Sequence, residues 1–303
     1  MRDVIILGSG PAGLTAAIYA CRENLKTLVI AGNQPGGQLI LTTEVENYPG
    51  FAEPILGPEL MDGMRAQAER VGAEFISGEA TSVDFSKKPF KVMVQDQEFE
   101  ARSIIVATGA SAKTLGLASE AKLRGRGVSY CATCDGYFFK DRSVAVVGGG
   151  DTAVEEALFL TKLAKKVFLV HRREALRATR ILQEKVFKNK KIEFIWNSIV
   201  EEILGEERVR GLRLRNVRSG NISEIGCEGV FIAVGYTPNT AIFKGQIELD
   251  ERGYVVTRNE TQTNIEGVFA AGDVCDSKYR QAVTAAGSGC KAAIDVGRFL
   301  QSG

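Results

Sequence analysis

The sequence contains a single histidine, His171, among its 303 residues. Hydrolases of the Ser-His-Asp or Cys-His type, and most histidine-based metal sites, need a histidine in a defined role. Such designs are excluded here unless His171 itself serves them. The six cysteines are too few for a disulfide-stapled scaffold. In a reducing compartment, a close pair of cysteines indicates metal or redox chemistry instead.

Long apolar runs are absent too. The chain enters its first apolar run at Val4, and that run is shorter than the roughly 7–15 apolar residues of a secretory signal. No run approaches the roughly 18 apolar residues that span a membrane. The formal net charge of +1 offers no field of one sign for nucleic acid or an anionic membrane. These absences predict a cytoplasmic protein with no nucleic-acid or membrane partner.

The informative feature that is present is an internal repeat. Residues Val4–Gly32 and Val144–Arg172 align without a gap at an offset of 140 residues. Each copy has an apolar strand, a glycine-rich turn, an amphipathic helix and a second apolar strand, which is the pattern of one βαβ unit. A second echo follows, because Ile104–Gly109 and Val230–Gly235 are both apolar strands that end in glycine.

The repeat predicts an α/β fold with two Rossmann-like dinucleotide-binding domains, one inserted into the other. The segment after Thr261 is assigned to the first domain, because the second copy already has its closing strand. The predicted boundaries are residues 1–111 and 238–303 for the first domain, and 112–237 for the second. Both crossings hold Gly, Ser or Pro, as a flexible connection requires.

The first glycine motif, Gly8–Gly13 (GSGPAG), follows a strand and opens a helix, as the GxGxxG pattern requires. Its glycines permit a tight turn and close approach of the backbone to a pyrophosphate, and the helix N-terminus favours negative charge. The acidic ribose ligand of the generic pattern is missing, because Ala31–Asn33 stands at the end of the second strand. The ribose must be held by other groups, such as the backbone around Gly36–Gln38.

The second glycine motif, Gly148–Ala153 (GGGDTA), fits GxGxxA. The second strand of this copy ends in His171, Arg172 and Arg173, and Arg177 follows. Guanidiniums at this position suit the 2′-phosphate of NADP, because arginine binds phosphate with two parallel hydrogen bonds and stays charged. An acidic residue would have indicated NAD. The alternative interpretation is a solvated basic turn.

A close cysteine pair is present at Cys131 and Cys134, and Asp135 follows it directly. Such a CxxC pair can close a disulfide, and its surroundings can lower a thiol pKa toward neutrality. A structural zinc site would need two further ligands, but the other four cysteines are dispersed. Two purely structural thiols remain an alternative. Asp135 favours the redox interpretation, because a carboxylate there can carry protons as thiolates form and leave.

Taken together, the motifs resemble those of the low-molecular-weight, bacterial-type thioredoxin reductases, over essentially the whole chain. The motifs that carry the resemblance are GSGPAG at Gly8–Gly13, GGQL at Gly36–Leu39, TTEVENYPG at Thr42–Gly50, ATG at Ala107–Gly109, CATCDG at Cys131–Gly136, GGGDTAVEEAL at Gly148–Leu158, HRRxxxR at His171–Arg177, FAAGD at Phe269–Asp273 and YRQAVTAAGSG at Tyr279–Gly289.

The resemblance implies a flavoprotein that reduces thioredoxin or a glutaredoxin-like protein, works as a homodimer, and carries its NADPH domain inserted into its FAD domain. It implies that Cys134 exchanges with the flavin, that Cys131 attacks oxidised thioredoxin, and that Asp135 is the acid–base residue. For FAD it implies Gly8, Gly10, Pro11, Ala12, Gly13, Ala31, Gly32, Gly36, Gly37, Gln38, Asn47, Gly109, Gly272, Asp273, Gln281 and Ala282. For NADPH it implies Gly148, Gly150, Asp151, Thr152, Ala153, His171, Arg172, Arg173, Arg177 and Arg280, the last of these lying over the flavin with Gln281 and Ala282.

Three other interpretations compete with this one. A related reductase that serves a peroxiredoxin usually carries an extra N-terminal thioredoxin-like domain, whereas this chain is expected to begin at its FAD strand. A ferredoxin or flavin NADP reductase would share both nucleotide sites but would lack the CATC motif. A redox sensor or flavin-binding scaffold would not need two nucleotide sites together with a proton-handling carboxylate.

Overall fold

The computed structural model describes residues 1–42 and 44–302. The chain divides into two units, which are Met1–Ser111 with Thr237–Gly303, and Ala112–Tyr236. The second unit is therefore inserted into the first. Its end lies one residue before the boundary at residue 237 that the sequence predicts. Among the described residues, none of the helices combines the length and the apolar character that a membrane span requires.

The described residues form nineteen strands and seven α-helices. The strands are β1 (Arg2–Leu7), β2 (Thr27–Ile30), β3 (Glu44–Val45), β4 (Ile55–Leu56), β5 (Glu74–Ile76), β6 (Ala80–Asp84), β7 (Phe90–Val94), β8 (Gln97–Val106), β9 (Ala110–Ala112), β10 (Val128–Ser129), β11 (Ser143–Val147), β12 (Lys166–Val170), β13 (Ile192–Ile195), β14 (Ser198–Leu204), β15 (Gly211–Asn216), β16 (Ile222–Gly226), β17 (Gly229–Ile232), β18 (Tyr236–Pro238) and β19 (Val268–Ala270). The helices are α1 (Pro11–Arg22), α2 (Gly57–Arg70), α3 (Ala118–Leu123), α4 (Ala132–Asp135), α5 (Asp151–Leu160), α6 (Arg180–Phe187) and α7 (Ala282–Ser302).

The first unit is built on a seven-stranded sheet in the order β5-β2-β1-β8-β7-β6, with β19 paired to β8. Strands β5, β2, β1, β8 and β19 are parallel, whereas β6 and β7 are antiparallel. Because β8 is ten residues long, its first half pairs with β7 and its last three residues pair with β19.

Strand β1 of this sheet is buried on both faces, which explains its unbroken apolar run. Successive side chains of a strand point to opposite faces. Ile5 and Leu7 therefore enter one core, which Phe243 also fills, and Val4 and Ile6 enter the other, where α1 and α7 pack. Each of the four strand residues is at most 1 % exposed.

The second unit has a five-stranded parallel sheet in the order β10-β17-β11-β12-β13, and a three-stranded antiparallel sheet in the order β14-β15-β16. Val144 and Val146 of β11 share a core with α5 and α6. Ala145 faces the other way, into a core that Val200 and Leu212 of the antiparallel sheet complete. This unit is therefore a three-layer structure.

The parallel parts of the two large sheets repeat the same local pairing. Val4 pairs with Thr27 in the first unit, and Val144 pairs with Val167 in the second. Both residues of the second pair therefore lie 140 positions after their counterparts in the first. The closing strands β8 and β17 lie beside β1 and β11. The predicted α/β fold with two Rossmann-like units, one inserted into the other, is therefore confirmed.

Helices α1 and α7 of the first unit approach each other closely because small residues form their contact. A Cβ on Gly289 would collide with the carbonyl oxygen of Ala12. We expect Gly289→Ala to lower the free energy of unfolding by about 1–3 kcal/mol, because the new methyl group must push the backbone of α1 away. Chemical denaturation of the purified protein measures this change.

The matched control for this prediction is Gly287→Ala in the same helix. Gly287 is exposed, and a Cβ there would meet no atom within 4 Å. The helix propensity of alanine therefore predicts an unchanged or slightly larger free energy of unfolding, by at most about 1 kcal/mol. Equal destabilisation by the two substitutions would contradict the packing argument.

Candidate functional site

The first glycine turn joins β1 to α1, and its glycines meet different steric demands. Gly8 has a φ of +112°, and a Cβ there would collide with the carbonyl oxygen of Ala107. A Cβ on Gly13 would collide with the carbonyl of Gly8. In contrast, a Cβ on Gly10 would meet no atom within 4 Å. The open space in front of α1 fits a pyrophosphate, which the helix amides and dipole would attract.

Ser9 connects this turn to the loop that follows β2. Its hydroxyl donates a hydrogen bond to the carbonyl of Ala31 at 2.8 Å and accepts one from the amide of Gly36 at 3.1 Å, and the side chain is buried. A Cβ on Gly37 would lie 3.4 Å from the Cα of Gly10. Two segments that the sequence predicts for FAD are thus brought together. Ser9 was missed, because it occupies a variable position of GxGxxG.

Residues far apart in the sequence meet in the same unit. The side-chain amide of Asn47 donates to Oε1 of Gln281 at 3.3 Å. Burial and, less strongly, the nearby carboxylate of Asp276 raise the pKa of Asp273 to about 7, although the guanidinium of Arg280 opposes the rise. Arg280 therefore belongs to the first unit, beside the predicted FAD residues, whereas the other residues predicted for NADPH lie in the second.

Three further predicted FAD residues also lie in the first unit. A Cβ on Gly272 would lie 2.8 Å from the Cβ of Ala12, so the segment that carries Asp273 packs directly on the first turn of α1. Gly109 follows β8 and has a φ of +67° with no neighbour within 4 Å of a built Cβ. Ala282 is the first residue of α7.

The second glycine turn joins β11 to α5 and repeats the first. Gly148 has a φ of +156°, and a Cβ there would collide with the carbonyl oxygen of Ala233. A Cβ on Gly150 would meet no atom within 4 Å, so this turn also leaves open space before a helix. Asp151 begins that helix, and its Oδ1 accepts the amide of Thr179 at 2.7 Å. Thr152 and Ala153 follow it in the first turn of α5.

The loop after β12 carries the arginines predicted for a 2′-phosphate. Arg172, Arg173 and Arg177 are exposed, and the amide of Arg177 donates to the carbonyl of Gly149 at 2.7 Å. The backbone of Arg177 is therefore held next to the second glycine turn. The three arginines line a cleft of about 480 Å³.

His171 differs from these arginines because its ring is buried, with only 5 % of the residue exposed. A Cβ on Gly149 would collide with the ring, so this glycine makes room for it. Burial and the nearby arginines, Arg177 foremost, lower the pKa of His171. The Nε2 atom has no hydrogen-bond partner among the described residues. The ring of His171 thus packs against the glycine turn from the interior of the unit. A direct contact between His171 and a coenzyme stays a prediction.

The redox pair forms a disulfide between Cys131 and Cys134, with the two Cα atoms 5.3 Å apart. The sulfur of Cys131 accepts the amide of Cys134 at 3.2 Å, and the hydroxyl of Thr133 lies 3.3 Å from the same sulfur. When the disulfide opens, these donors favour the thiolate on Cys131. Within the described ranges, no group of three or more His, Cys, Asp or Glu side chains could hold a metal ion.

Asp135 is held in place by Ser129, a residue that the sequence analysis missed. The hydroxyl of Ser129 donates to Oδ2 of Asp135 at 2.6 Å and accepts the amide of Cys131 at 3.1 Å. Burial raises the pKa of Asp135, and the hydrogen bond from Ser129 partly offsets this rise. The raised pKa favours the protonated carboxyl, which is the form that can give a proton to a leaving thiolate.

The other cysteines differ from the redox pair. Burial raises the pKa of Cys227 to about 12, and burial together with two nearby aspartates does the same for Cys275. Burial also raises the pKa of Cys21. Thiols with raised pKa values are poor nucleophiles at neutral pH. The raised pKa values of these three thiols therefore argue against a role for them in thiol–disulfide exchange.

The comparisons with known proteins agree with this site. A family model described as pyridine nucleotide-disulphide oxidoreductase matches residues 2–289. The chain belongs to this family. The thioredoxin reductase of Rickettsia felis is 57% identical over 302 residues, which cover 98% of this chain and 97% of that protein. The thioredoxin reductase of Streptomyces coelicolor is 54% identical over 303 residues, which cover 99% of this chain and 94% of that protein.

A solved structure of a thioredoxin reductase is also similar to this chain. The crystal structure of thioredoxin reductase from Streptococcus pyogenes superposes with a TM-score of 0.96 and 44% identity, covering 100% of this chain and 99% of that one. Pyridine nucleotide-disulphide oxidoreductases use a flavin and a pyridine nucleotide, so the family implies both kinds of cofactor. The two glycine turns, each with open space before a helix, fit such groups.

The half-buried carboxyl of Asp273 makes the stability of the nucleotide-free protein depend on pH. A folded-state pKa of about 7 lies above that of the unfolded chain. The carboxyl therefore destabilises the folded state progressively as pH rises from about 4 to 7. At pH 8 we expect Asp273→Asn to be more stable than the natural protein by on the order of 1–4 kcal/mol. At pH 4 this advantage should disappear. Thermal unfolding across pH measures the difference, and a constant gap would contradict the assignment.

Ser129 should set the pH at which Asp135 ionises. In Ser129→Ala the carboxylate loses its hydrogen-bond donor, so we expect the pKa of Asp135 to rise further. The rate at which the reduced cysteine pair attacks a small aromatic disulfide, measured against pH, reports this shift. The limb assigned to Asp135 should move to higher pH in Ser129→Ala and be absent in Asp135→Asn. A double variant that shifted the profile beyond Asp135→Asn alone would show that Ser129 does not act through the carboxyl.

Proposed function

We propose that the protein is an NADPH-dependent thioredoxin reductase that uses FAD and the Cys131–Cys134 disulfide as successive electron carriers. The observation that carries the proposal is this disulfide, which lies beside the half-buried acid Asp135 in the unit that also holds the second glycine turn. The high identity to thioredoxin reductases over nearly the whole chain supports the same acceptor.

FAD is assigned to the first unit. The open space at Gly10 would take the pyrophosphate, and the loop from Ala31 to Gln38, tied to this turn by Ser9, would hold the adenosine ribose. Asp273 would bind the ribityl chain, and the paired Asn47 and Gln281 would contact the flavin. These groups all belong to one unit, which supports one shared ligand.

NADPH is assigned to the second unit. The open space at Gly150 would take its pyrophosphate, and Arg172, Arg173 and Arg177 would hold its 2′-phosphate. The three guanidiniums surround a cleft instead of projecting singly into solvent, which favours a phosphate site over a solvated basic turn.

The residues named above would hold FAD and NADPH, and this cofactor pair would supply two electrons at the Cys131–Cys134 disulfide. Those electrons break the bond between Cys131 and Cys134, and Asp135 supplies a proton to the thiolate that leaves. Cys131 then attacks the disulfide of oxidised thioredoxin, and Cys134 closes on Cys131 to release the reduced protein. The balance is one NADPH and one proton consumed for each protein disulfide reduced to two thiols.

We also propose that the chain works as a homodimer in the cytoplasm, with thioredoxin or a glutaredoxin-like protein as its partner. Several large apolar side chains of the first unit are exposed and would gain from burial in such a dimer, namely Tyr19, Leu41, Phe51, Leu56 and Val283. The near-neutral net charge favours neither nucleic acid nor an anionic membrane as partner.

The redox role of the pair is tested by Cys131→Ser. We expect this variant to lose NADPH-driven reduction of every protein disulfide, because the attacking thiol is gone, while NADPH still bleaches the flavin absorbance. The matched control is Cys290→Ser, which changes a half-buried cysteine outside the pair and should keep full activity. Thioredoxins and glutaredoxins from the same organism serve as acceptors. Full activity of Cys131→Ser toward all of them would overturn the proposal.

A further inference from the structure

The cleft beside the loop of residues 171–177, here called the arginine loop, has a second wall that the sequence motifs do not include. This wall is the turn between β15 and β16, and it contributes Val217 and Arg218 to the lining. The turn is held in a defined shape, because Oδ1 of Asn216 accepts the amides of Arg218 and Ser219 at 2.9 and 3.1 Å. Arg218 therefore projects from a fixed backbone position.

Backbone hydrogen bonds tie this wall to the arginine loop. The amide of Val217 donates to the carbonyl of Asn197 at 2.6 Å, and the amide of Asn197 donates to the carbonyl of Arg173 at 3.2 Å. The two walls of the cleft are therefore linked through one residue. A ligand that touches both walls would bind a preorganised site.

The cleft also contains a carboxylate, which is unexpected for a site that binds an anion. Glu174 lies between Arg173 and Arg177 in the sequence and lines the cleft with them. Its carboxylate forms an ion pair with the guanidinium of Arg218. In residues 1–42 and 44–302, none of the three loop arginines forms a side-chain ion pair, so Glu174 is matched to Arg218 alone.

An unpaired carboxylate at this position would repel a phosphate dianion. The pairing with Arg218 removes that repulsion, and it keeps a fourth guanidinium at the edge of the cleft. Both side chains are more than half exposed, so the pair itself is weak and can exchange partners. A phosphomonoester offers arginine a stronger, doubly charged acceptor than a single carboxylate.

We propose that Arg218 is a specificity-determining residue for the coenzyme. It would act as a fourth arginine of the 2′-phosphate site, and its ion pair with Glu174 keeps it at the edge of the cleft before the coenzyme binds. When the phosphate enters, the guanidinium of Arg218, which has five N–H donors, bonds the phosphate oxygens while it remains beside the Glu174 carboxylate. This proposal rests on the proposed use of NADPH. It adds that discrimination against NADH depends on the β15–β16 turn as well as on the loop of residues 171–177.

The test is binding of 2′,5′-ADP and 5′-ADP to the FAD-loaded protein, measured by isothermal titration calorimetry. We expect Arg218→Ala to weaken 2′,5′-ADP binding by about 3- to 10-fold, because it removes a phosphate ligand and leaves Glu174 unpaired. Binding of 5′-ADP, which lacks the 2′-phosphate, should not change. Glu174→Gln should tighten 2′,5′-ADP binding about 2- to 5-fold, because Arg218 is freed. The double variant should lie between the two single variants.

The matched control is Arg213→Ala, which removes an exposed, ion-paired arginine from the same antiparallel sheet, away from the cleft. It should leave both affinities unchanged, and an effect equal to that of Arg218→Ala would reduce the proposal to general electrostatics and overturn it. Unchanged 2′,5′-ADP binding in Arg218→Ala, or weaker binding in Glu174→Gln, would also overturn it. These results leave NADPH use intact. If the natural protein binds 2′,5′-ADP no better than 5′-ADP, the proposed use of NADPH fails instead.

Discussion

In each unit, the glycine turn that follows β1 or β11 passes so close to the end of a neighbouring strand that no Cβ fits between them. The contacts are Gly8 with the carbonyl of Ala107, and Gly148 with the carbonyl of Ala233. This approach turns the chain sharply and aims the N-terminus of α1 or α5 at the carboxyl edge of the sheet, where parallel strands leave a crevice. The open space at Gly10 and Gly150, where the two nucleotides are proposed to bind, depends on this approach.

The redox centre depends on a different constraint, which is the removal of water around a carboxyl. A carboxyl in solvent would be ionised at neutral pH and could not give a proton to a leaving thiolate. Burial raises the pKa of Asp135, and the single hydroxyl of Ser129 fixes both this carboxyl and the backbone of Cys131. Acid and sulfur are therefore positioned by one small side chain. Cys227 has no such partner in the part of the chain that the structure describes, and it stays a buried, weakly acidic thiol.

The sequence predicted those parts of the fold and site that follow from local pattern. The repeat predicted one βαβ unit in each copy, and the structure pairs β1 with β2 and β11 with β12 in these units. No motif or repeat in the sequence indicated a role for Ser9, Ser129 or Arg218. Each of these acts through a partner that only the folded chain brings near, as with Glu174 and Arg218, 44 residues apart. His171 was grouped with the arginines, but the fold buries its ring under Gly149.

The arginine loop shows how the fold holds like charges together. Arg172, Arg173 and Arg177 repel one another, so an isolated loop would spread apart. The fold opposes this with backbone hydrogen bonds, from the amide of Arg177 to the carbonyl of Gly149 at 2.7 Å and from the amide of Ser198 to the carbonyl of His171 at 3.0 Å. The repulsion is therefore present before the ligand arrives, and a phosphate that relieves it binds a site whose geometry is already set. In the proposed complex with NADPH, the backbone that orders the loop would thus make the repulsion among its arginines favour a coenzyme with the additional phosphate.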